Sequence, residues 1–188
     1  MINLGNMLLR KVLRFLSAFN EWAGIAMRNS AGILLIVMTV IVLLQIVFRY
    51  VLNDSLIWTE EVSKTMMVWG AFLIAPWAYR NGANVSITMF VDELPPTLRR
   101  LLRLALNLLV IWIIVVFWLE SFGMVDRGFL IRTASLPIQV GWFFIVIPLA
   151  FGTMLLVGVE LFIRDVLALL YPKEDFEIAG AIRNMEGD

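Results

Sequence analysis

Histidine and cysteine are both absent from this chain of 188 residues. Without thiols or imidazoles, the chain cannot build the usual zinc, haem, copper or iron–sulfur sites, or a Ser-His or Cys-His nucleophile pair. Charged residues are also scarce, at 16% against about 25% in an average soluble domain. We therefore predict no catalytic residue, metal ligand or cofactor in this chain, and we expect no nucleic-acid partner.

Long apolar runs make up most of what is present, and hydrophobic residues account for 61% of the chain. Four stretches stand out, at residues 29–48, 65–79, 104–119 and 133–159. A bilayer core about 30 Å thick needs about 20 helical residues. The sequence thus predicts an all-α integral membrane protein with four transmembrane helices, in one domain over residues 29–169.

The two ends of the chain differ from this domain. Residues 1–28 place an apolar stripe on one face of a helix and basic residues off it; the stripe is Leu8, Val12, Phe15, Phe19 and Trp22. This spacing predicts an amphipathic helix in the membrane interface, with lipids as partners. A signal peptide is the rival interpretation, but basic residues interrupt its apolar region and no small-residue cleavage site follows. The acidic composition of residues 170–188 predicts a cytoplasmic tail.

Basic residues predict the orientation. The N-terminal segment, the second loop and the tail contain eleven of the 15 Lys and Arg residues. The other four, in the first and third loops, are Arg49, Lys64, Arg127 and Arg132. Since basic residues favour the cytoplasmic side, both termini and the second loop are predicted to be cytoplasmic. The protein is then a multi-pass membrane protein.

The start of the second span is its most polar part. Thr59 is placed to cap a helix whose first turn carries Glu60 and Glu61, and Glu60 forms an i,i+4 pair with Lys64. With Trp58 as an anchor, these residues either finish a helix end or form a recognition patch on the outer face. For an arbitrary membrane protein we favour the helix end, whereas a soluble partner on the outer face would favour the recognition patch.

The remainder of the second span predicts a packing surface. Ala71, Ala75 and Ala78 recur at i, i+4 and i+7, which lets another helix approach closely. None of the four spans has a charged residue in its interior, although a coupled transporter commonly keeps a carboxylate near the midplane. The chain therefore has the features of a scaffold more than those of a conduit.

Several segments together resemble a known family. They are the run from Arg49 to Glu61, Trp69, the run from Tyr79 to Val85, the run from Thr133 to Pro137, and Gly141-Trp142 with Ile147-Pro148. This pattern is similar to the small membrane subunit of tripartite ATP-independent periplasmic (TRAP) transporters, over roughly residues 47–148. One position departs from the family: Asn84 stands where a histidine often follows the glycine turn, so a role that needs an imidazole does not carry over.

The resemblance implies a secondary transporter with three parts. A soluble periplasmic protein captures an organic anion, a large membrane subunit moves it with sodium by an elevator motion, and the small subunit widens the fixed scaffold and offers contacts to the binding protein. Sodium coupling is then expected in the large subunit. The residues predicted to contact partners are Arg49, Trp58, Glu60, Glu61, Lys64, Ala71, Ala75, Arg80 and Asn84.

Two rival functions remain open. A self-sufficient four-helix exporter acting as a dimer is disfavoured by the missing membrane carboxylate. A membrane-embedded enzyme is disfavoured by the lack of histidine and cysteine, although carboxylate or serine-lysine chemistry is still available to it.

Overall fold

A computed structural model describes residues 4–54, 56–81 and 96–170. The regular structure of these residues is helical, apart from one isolated bridge between Arg132 and Gln139, which confirms the predicted all-α fold. The helices are α1 (Leu4–Tyr50), α2 (Ile57–Asn81), α3 (Pro96–Gly128), α4 (Gly141–Phe144) and α5 (Val146–Leu170). Asn84 and residues 171–188 of the predicted tail lie outside the described residues.

Three segments are long and apolar enough to cross a membrane: Lys11–Tyr50, Leu104–Gly128 and Gly141–Leu167. They correspond to the first, third and fourth predicted spans. The second predicted span lies in α2, whose uncharged run covers only residues 65–79. At 1.5 Å per residue this run is about 22 Å long, less than the bilayer core of about 30 Å. That α2 crosses the membrane therefore stays a prediction.

Helix α1 is 47 residues long, or about 70 Å, and continues without a break through the predicted boundary at residue 28. Its N-terminal part has apolar side chains outside the bundle, including Val12, Phe15 and Trp22. The helix ends where Asn53 adopts a positive φ of 53°, a conformation that asparagine tolerates well. The Asp54 amide then donates to the Phe48 carbonyl, and the chain reverses into α2.

The fourth span begins later than predicted. Residues 133–140 form a loop because Thr133 closes a turn: its amide donates to the Ile138 carbonyl, and its hydroxyl donates to the Leu136 carbonyl. Glycine is required where the end of α3 packs against the start of α4, since a Cβ on Gly128 would lie 2.8 Å from the Gly141 Cα. Helix α5 also continues past the predicted end at residue 159, to Leu170.

The core lies between α2, α3 and α5. Tyr79, Ile114 and Val157 are buried together, and Phe151 and Met154 pack against them. Helix α1 packs along α2 and α5. Many other apolar side chains are exposed on the outside of the bundle, as expected for a protein whose surroundings are lipid.

Candidate functional site: polar contacts at the two ends of the bundle

The outer cluster, defined as Trp58, Glu60, Glu61 and Lys64, lies in the first two turns of α2. The helix begins at Ile57, two residues before the predicted cap. Thr59 is buried and its hydroxyl donates to the Leu56 carbonyl at 2.6 Å, whereas a capping side chain accepts a hydrogen bond from the helix backbone. The predicted cap at Thr59 is therefore wrong.

Glu61 bonds to the loop between α3 and α4. Its carboxylate accepts hydrogen bonds from the amides of Ala134, at 3.0 Å, and Ser135, at 3.1 Å, and from the Ser135 hydroxyl. The Ser135 hydroxyl bond is the main cause that lowers the pKa of Glu61, and the two amide bonds lower it further. These contacts join two segments that are more than 70 residues apart in the chain.

Glu60 differs from its neighbour. It accepts a 2.6 Å hydrogen bond from Lys64, which lowers the pKa of Glu60, and both side chains are mostly exposed, at 63% and 73%. Trp58 is also exposed, at 42%. A soluble partner could therefore reach Trp58, Glu60 and Lys64, while Glu61 is already bonded within the chain.

The other predicted partner residues are spread over the bundle. Arg49 lies near the outer cluster, and its guanidinium stands 6.0 Å from the ring of Tyr50. Ala71 is exposed on α2, and Ala75 is half-buried. Whether these residues contact a partner stays a prediction.

Arg80, which is predicted to contact a partner, bonds within the bundle, and its contact with a partner chain stays a prediction. It belongs to an inner cluster of five side chains from α1, α2 and α5: Ser17, Asn20, Arg80, Glu160 and Arg164. Glu160 is fully buried at the centre of the cluster. Arg80 donates to it through Nε and a terminal nitrogen, both at 3.2 Å, and Arg164 donates at 2.6 Å.

Helix α1 completes the inner cluster. Asn20 Nδ2 donates to Glu160 at 2.7 Å, and the Ser17 hydroxyl accepts from Arg80 at 3.1 Å and from Arg164 at 3.0 Å. A buried carboxylate is tolerated only when charged and polar partners replace its water. The two arginines and Asn20 are those partners, so the cluster holds three helices together.

A second polar contact lies at the same end. The buried Tyr79 hydroxyl donates to Asn107 Oδ1 at 2.9 Å, and Asn107 Nδ2 donates to Asp165 at 3.1 Å. This chain of bonds joins α2, α3 and α5. With the inner cluster, it connects all four long helices.

Near the middle of α2, Trp69 Nε1 donates to the carbonyl of Phe143 at 2.8 Å, just before the break between α4 and α5. Pro148 lacks the amide that would continue the helix there. Among the described residues, no group of three or more His, Cys, Asp or Glu side chains could hold a metal ion. The polar groups of the inner cluster and of Glu61 bond one helix or loop to another, whereas Glu60 and Lys64 pair within α2.

The inner cluster was not predicted from the sequence. A signal was present, because Glu160 and Arg164 have i,i+4 spacing at the end of a long apolar run, and Asn20 lies in an otherwise amphipathic segment. That spacing does not indicate that Glu160 also bonds to Arg80 on α2.

This architecture defines a multi-pass helical membrane protein whose polar side chains stabilise the bundle. The family model described as "Tripartite ATP-independent periplasmic transporters, DctQ component" matches residues 38–168. The chain therefore belongs to this family and is a Q-type TRAP subunit of the bacterial inner membrane.

Curated relatives agree. A Haemophilus influenzae chain named, provisionally, a TRAP transporter small permease protein is 33% identical over 78 residues, which are 42% of this chain and 48% of that protein. The sialic acid TRAP transporter small permease protein SiaQ of Vibrio cholerae is 28% identical over 98 residues, 52% of this chain and 57% of that protein. The matched segments thus span about half the length of these relatives.

A longer relative is the sialic acid TRAP transporter permease protein SiaT of Haemophilus influenzae. It is 27% identical over 139 residues, which are 72% of this chain but only 21% of that protein. A segment similar to this chain is therefore part of a much larger permease chain in that organism.

Proposed function

We propose that the chain is the scaffold subunit of a sodium-coupled, binding-protein-dependent secondary transporter that imports an organic anion. The observation that carries this proposal is the inner cluster, in which Arg80, Glu160 and Arg164 bond to one another and to α1. A transport site needs polar groups that are free to exchange partners, whereas a scaffold needs helices that stay together. The polar groups of the inner cluster bond to one another and hold the helices together, as a scaffold requires.

The transport site and the sodium sites belong, in this proposal, to a large membrane subunit. Residues 29–48, 65–79, 104–119 and 133–159 carry no charged residue, and the charged Glu160 and Arg164 further along α5 are bonded within the inner cluster. The match to SiaT supports a one-to-one complex with a larger permease chain, since a segment like this one is covalently part of that permease. The name of that relative, with sialic acid, supports an organic acid as the class of substrate.

Replacement of Ala75 by leucine tests the complex. Ala75 is a half-buried small residue on α2, and a larger side chain would push an approaching helix away. We expect Ala75→Leu to lower the amount of large subunit that co-purifies with the tagged chain. Ala105→Leu is the matched control on an exposed position of α3, and it should leave recovery unchanged. Equal recovery for both variants would place the interface on another helix.

A further part of the proposal is that Trp58, Glu60 and Lys64 dock the periplasmic binding protein. Their exposure supports it, because these side chains are free to meet a soluble protein at the end of α2. Complementary charges on two proteins mainly raise the rate at which the proteins associate, and salt screens this effect. The large subunit and the binding protein provide the rest of the interface.

The docking role is tested with Glu60→Gln in the assembled transporter. This variant should need more binding protein for half-maximal uptake, and its defect should change with salt concentration. Glu21→Gln, an exposed carboxylate on the predicted cytoplasmic side, is the control and should behave as the native chain does. An unaltered dependence on binding-protein concentration in Glu60→Gln would leave only the structural role of the outer cluster.

The rival of a self-sufficient exporter makes a different prediction. It requires transport by this chain alone in liposomes, which the scaffold proposal does not allow.

A further inference from the structure

A groove of about 410 Å³ runs along the seam between α1 and α2. Most of its lining residues are apolar and several have small side chains. They include Gly32, Leu35 and Met38 on α1 and Met67, Gly70 and Ala71 on α2. A Cβ added to Gly32 or Gly70 would meet no heavy atom within 4 Å. Glycines in helix pairs usually allow close approach, but here the space beside them is left open to the side, where Leu35 and Met67 are 62% and 67% exposed.

The length of this seam groove matches one leaflet of a bilayer. Along α1 the lining runs from Arg28 to Met38, a distance of about 15 Å, which is half of a bilayer core about 30 Å thick. An acyl chain from one leaflet extends over the same depth and is apolar, as most of the lining residues are. The seam groove therefore suits an acyl chain in both length and polarity.

Arg28 supplies a charged group at one end of the seam groove. It immediately precedes the uncharged run that begins at residue 29, so it lies where lipid headgroups meet the hydrocarbon. Its exposed guanidinium lies 5.3 Å from the centre of the Trp77 ring, which orients it. Within the described part of the chain, no carboxylate forms an ion pair with Arg28. A guanidinium held in this way can donate two hydrogen bonds to a phosphate.

We propose that the seam groove binds one anionic phospholipid, with its phosphate on Arg28 and one acyl chain lying between α1 and α2. The lipid comes from the leaflet at the end of the inner cluster. Its acyl chain fills the space beside Gly32 and Gly70 and so completes the packing of a seam that the protein leaves open. The proposal does not depend on the transport function.

Native mass spectrometry of the purified full-length chain tests the proposal, with dioleoyl phosphatidylglycerol as the probe and dioleoyl phosphatidylcholine for comparison. We expect one phosphatidylglycerol to be retained per chain. Arg28→Gln should weaken its binding about tenfold, which corresponds to about 1.4 kcal/mol. Arg127→Gln removes another exposed arginine, from α3, and should leave the binding unchanged.

The acyl part of the proposal is tested with Gly70→Leu, which fills the seam groove. The new side chain enters open space, so the variant should keep its helical circular-dichroism spectrum while it loses the retained phosphatidylglycerol. Gly123→Leu is the control, since its Cβ would meet only the tip of Arg127, at 4.0 Å. Equal binding of both lipids with no effect of Arg28→Gln would overturn the proposal. So would intact lipid binding in Gly70→Leu.

Discussion

The inner and outer ends of the bundle each use one carboxylate to join segments that are distant in the chain. At the inner end, Glu160 is fully buried and its partners are two arginines and an asparagine. At the outer end, Glu61 is only partly buried and its partners are two backbone amides and a hydroxyl. The inner end holds helices together, and the outer end positions a loop.

This difference has an energetic consequence. A buried carboxylate leaves its cationic partners unpaired when it is removed, whereas backbone amides near the surface can bond to water. The inner end should therefore dominate the stability of the bundle, and the outer end should mainly affect local structure.

The largest effect is expected for Glu160→Gln. The amide cannot neutralise Arg80 and Arg164, and removal of one partner from a buried ion pair typically costs about 3–5 kcal/mol. The free energy of unfolding in detergent, followed by circular dichroism, should fall by that amount. Glu120→Gln, at an exposed position of α3, is the control and should change little. A loss in Glu160→Gln as small as in the control would remove the energetic distinction between the two ends.

A smaller and local effect is expected for Glu61→Gln. Hydrogen–deuterium exchange should become faster at the Ala134 and Ser135 amides, because a neutral amide oxygen is a weaker acceptor than a carboxylate. The adjacent Glu60→Gln is the matched control, since Glu60 bonds to Lys64 and not to the loop. If both variants exchange alike, Glu61 does not hold the loop.

The same loop contact should depend on pH. The pKa of Glu61 is lowered in the folded protein from the usual value of 4.5 by its bond to Ser135. A lowered pKa stabilises the folded state above that usual value, and the contribution is lost as the pH falls through the lowered pKa. The protection factors of the Ala134 and Ser135 amides, which correct for the intrinsic slowing of exchange in acid, should therefore fall as the pH drops below 4.5 in the native chain, and this fall should be missing in Glu61→Gln.

Local features were predictable from the sequence. The apolar runs predicted the position of three spans. The polar turn at Asn53 lies where the chain reverses after α1, and asparagine tolerates the positive φ that this turn needs. The Glu60–Lys64 pair follows from its i,i+4 spacing alone. Each of these depends on residues that are near one another in the chain.

Contacts between distant segments were not predictable in this way. Arg80 and Glu160 are separated by 80 residues, and a linear pattern does not indicate which helices are neighbours. The start of the fourth span was misplaced because residues 133–140 are uncharged, yet the hydrogen bonds of Thr133 and the presence of Pro137 favour a loop. The bond from Arg80 to Glu160 was not predicted for the same reason, and contact of Arg80 with a partner chain stays a prediction.

Reconstituted uptake is the most direct test of the scaffold function. Proteoliposomes would contain this chain alone, the large membrane subunit alone, or both, with the loaded binding protein outside and a sodium gradient across the membrane. We predict accumulation of the organic anion only when both membrane subunits are present. Transport by this chain alone, or undiminished uptake by the large subunit without it, would contradict the scaffold function.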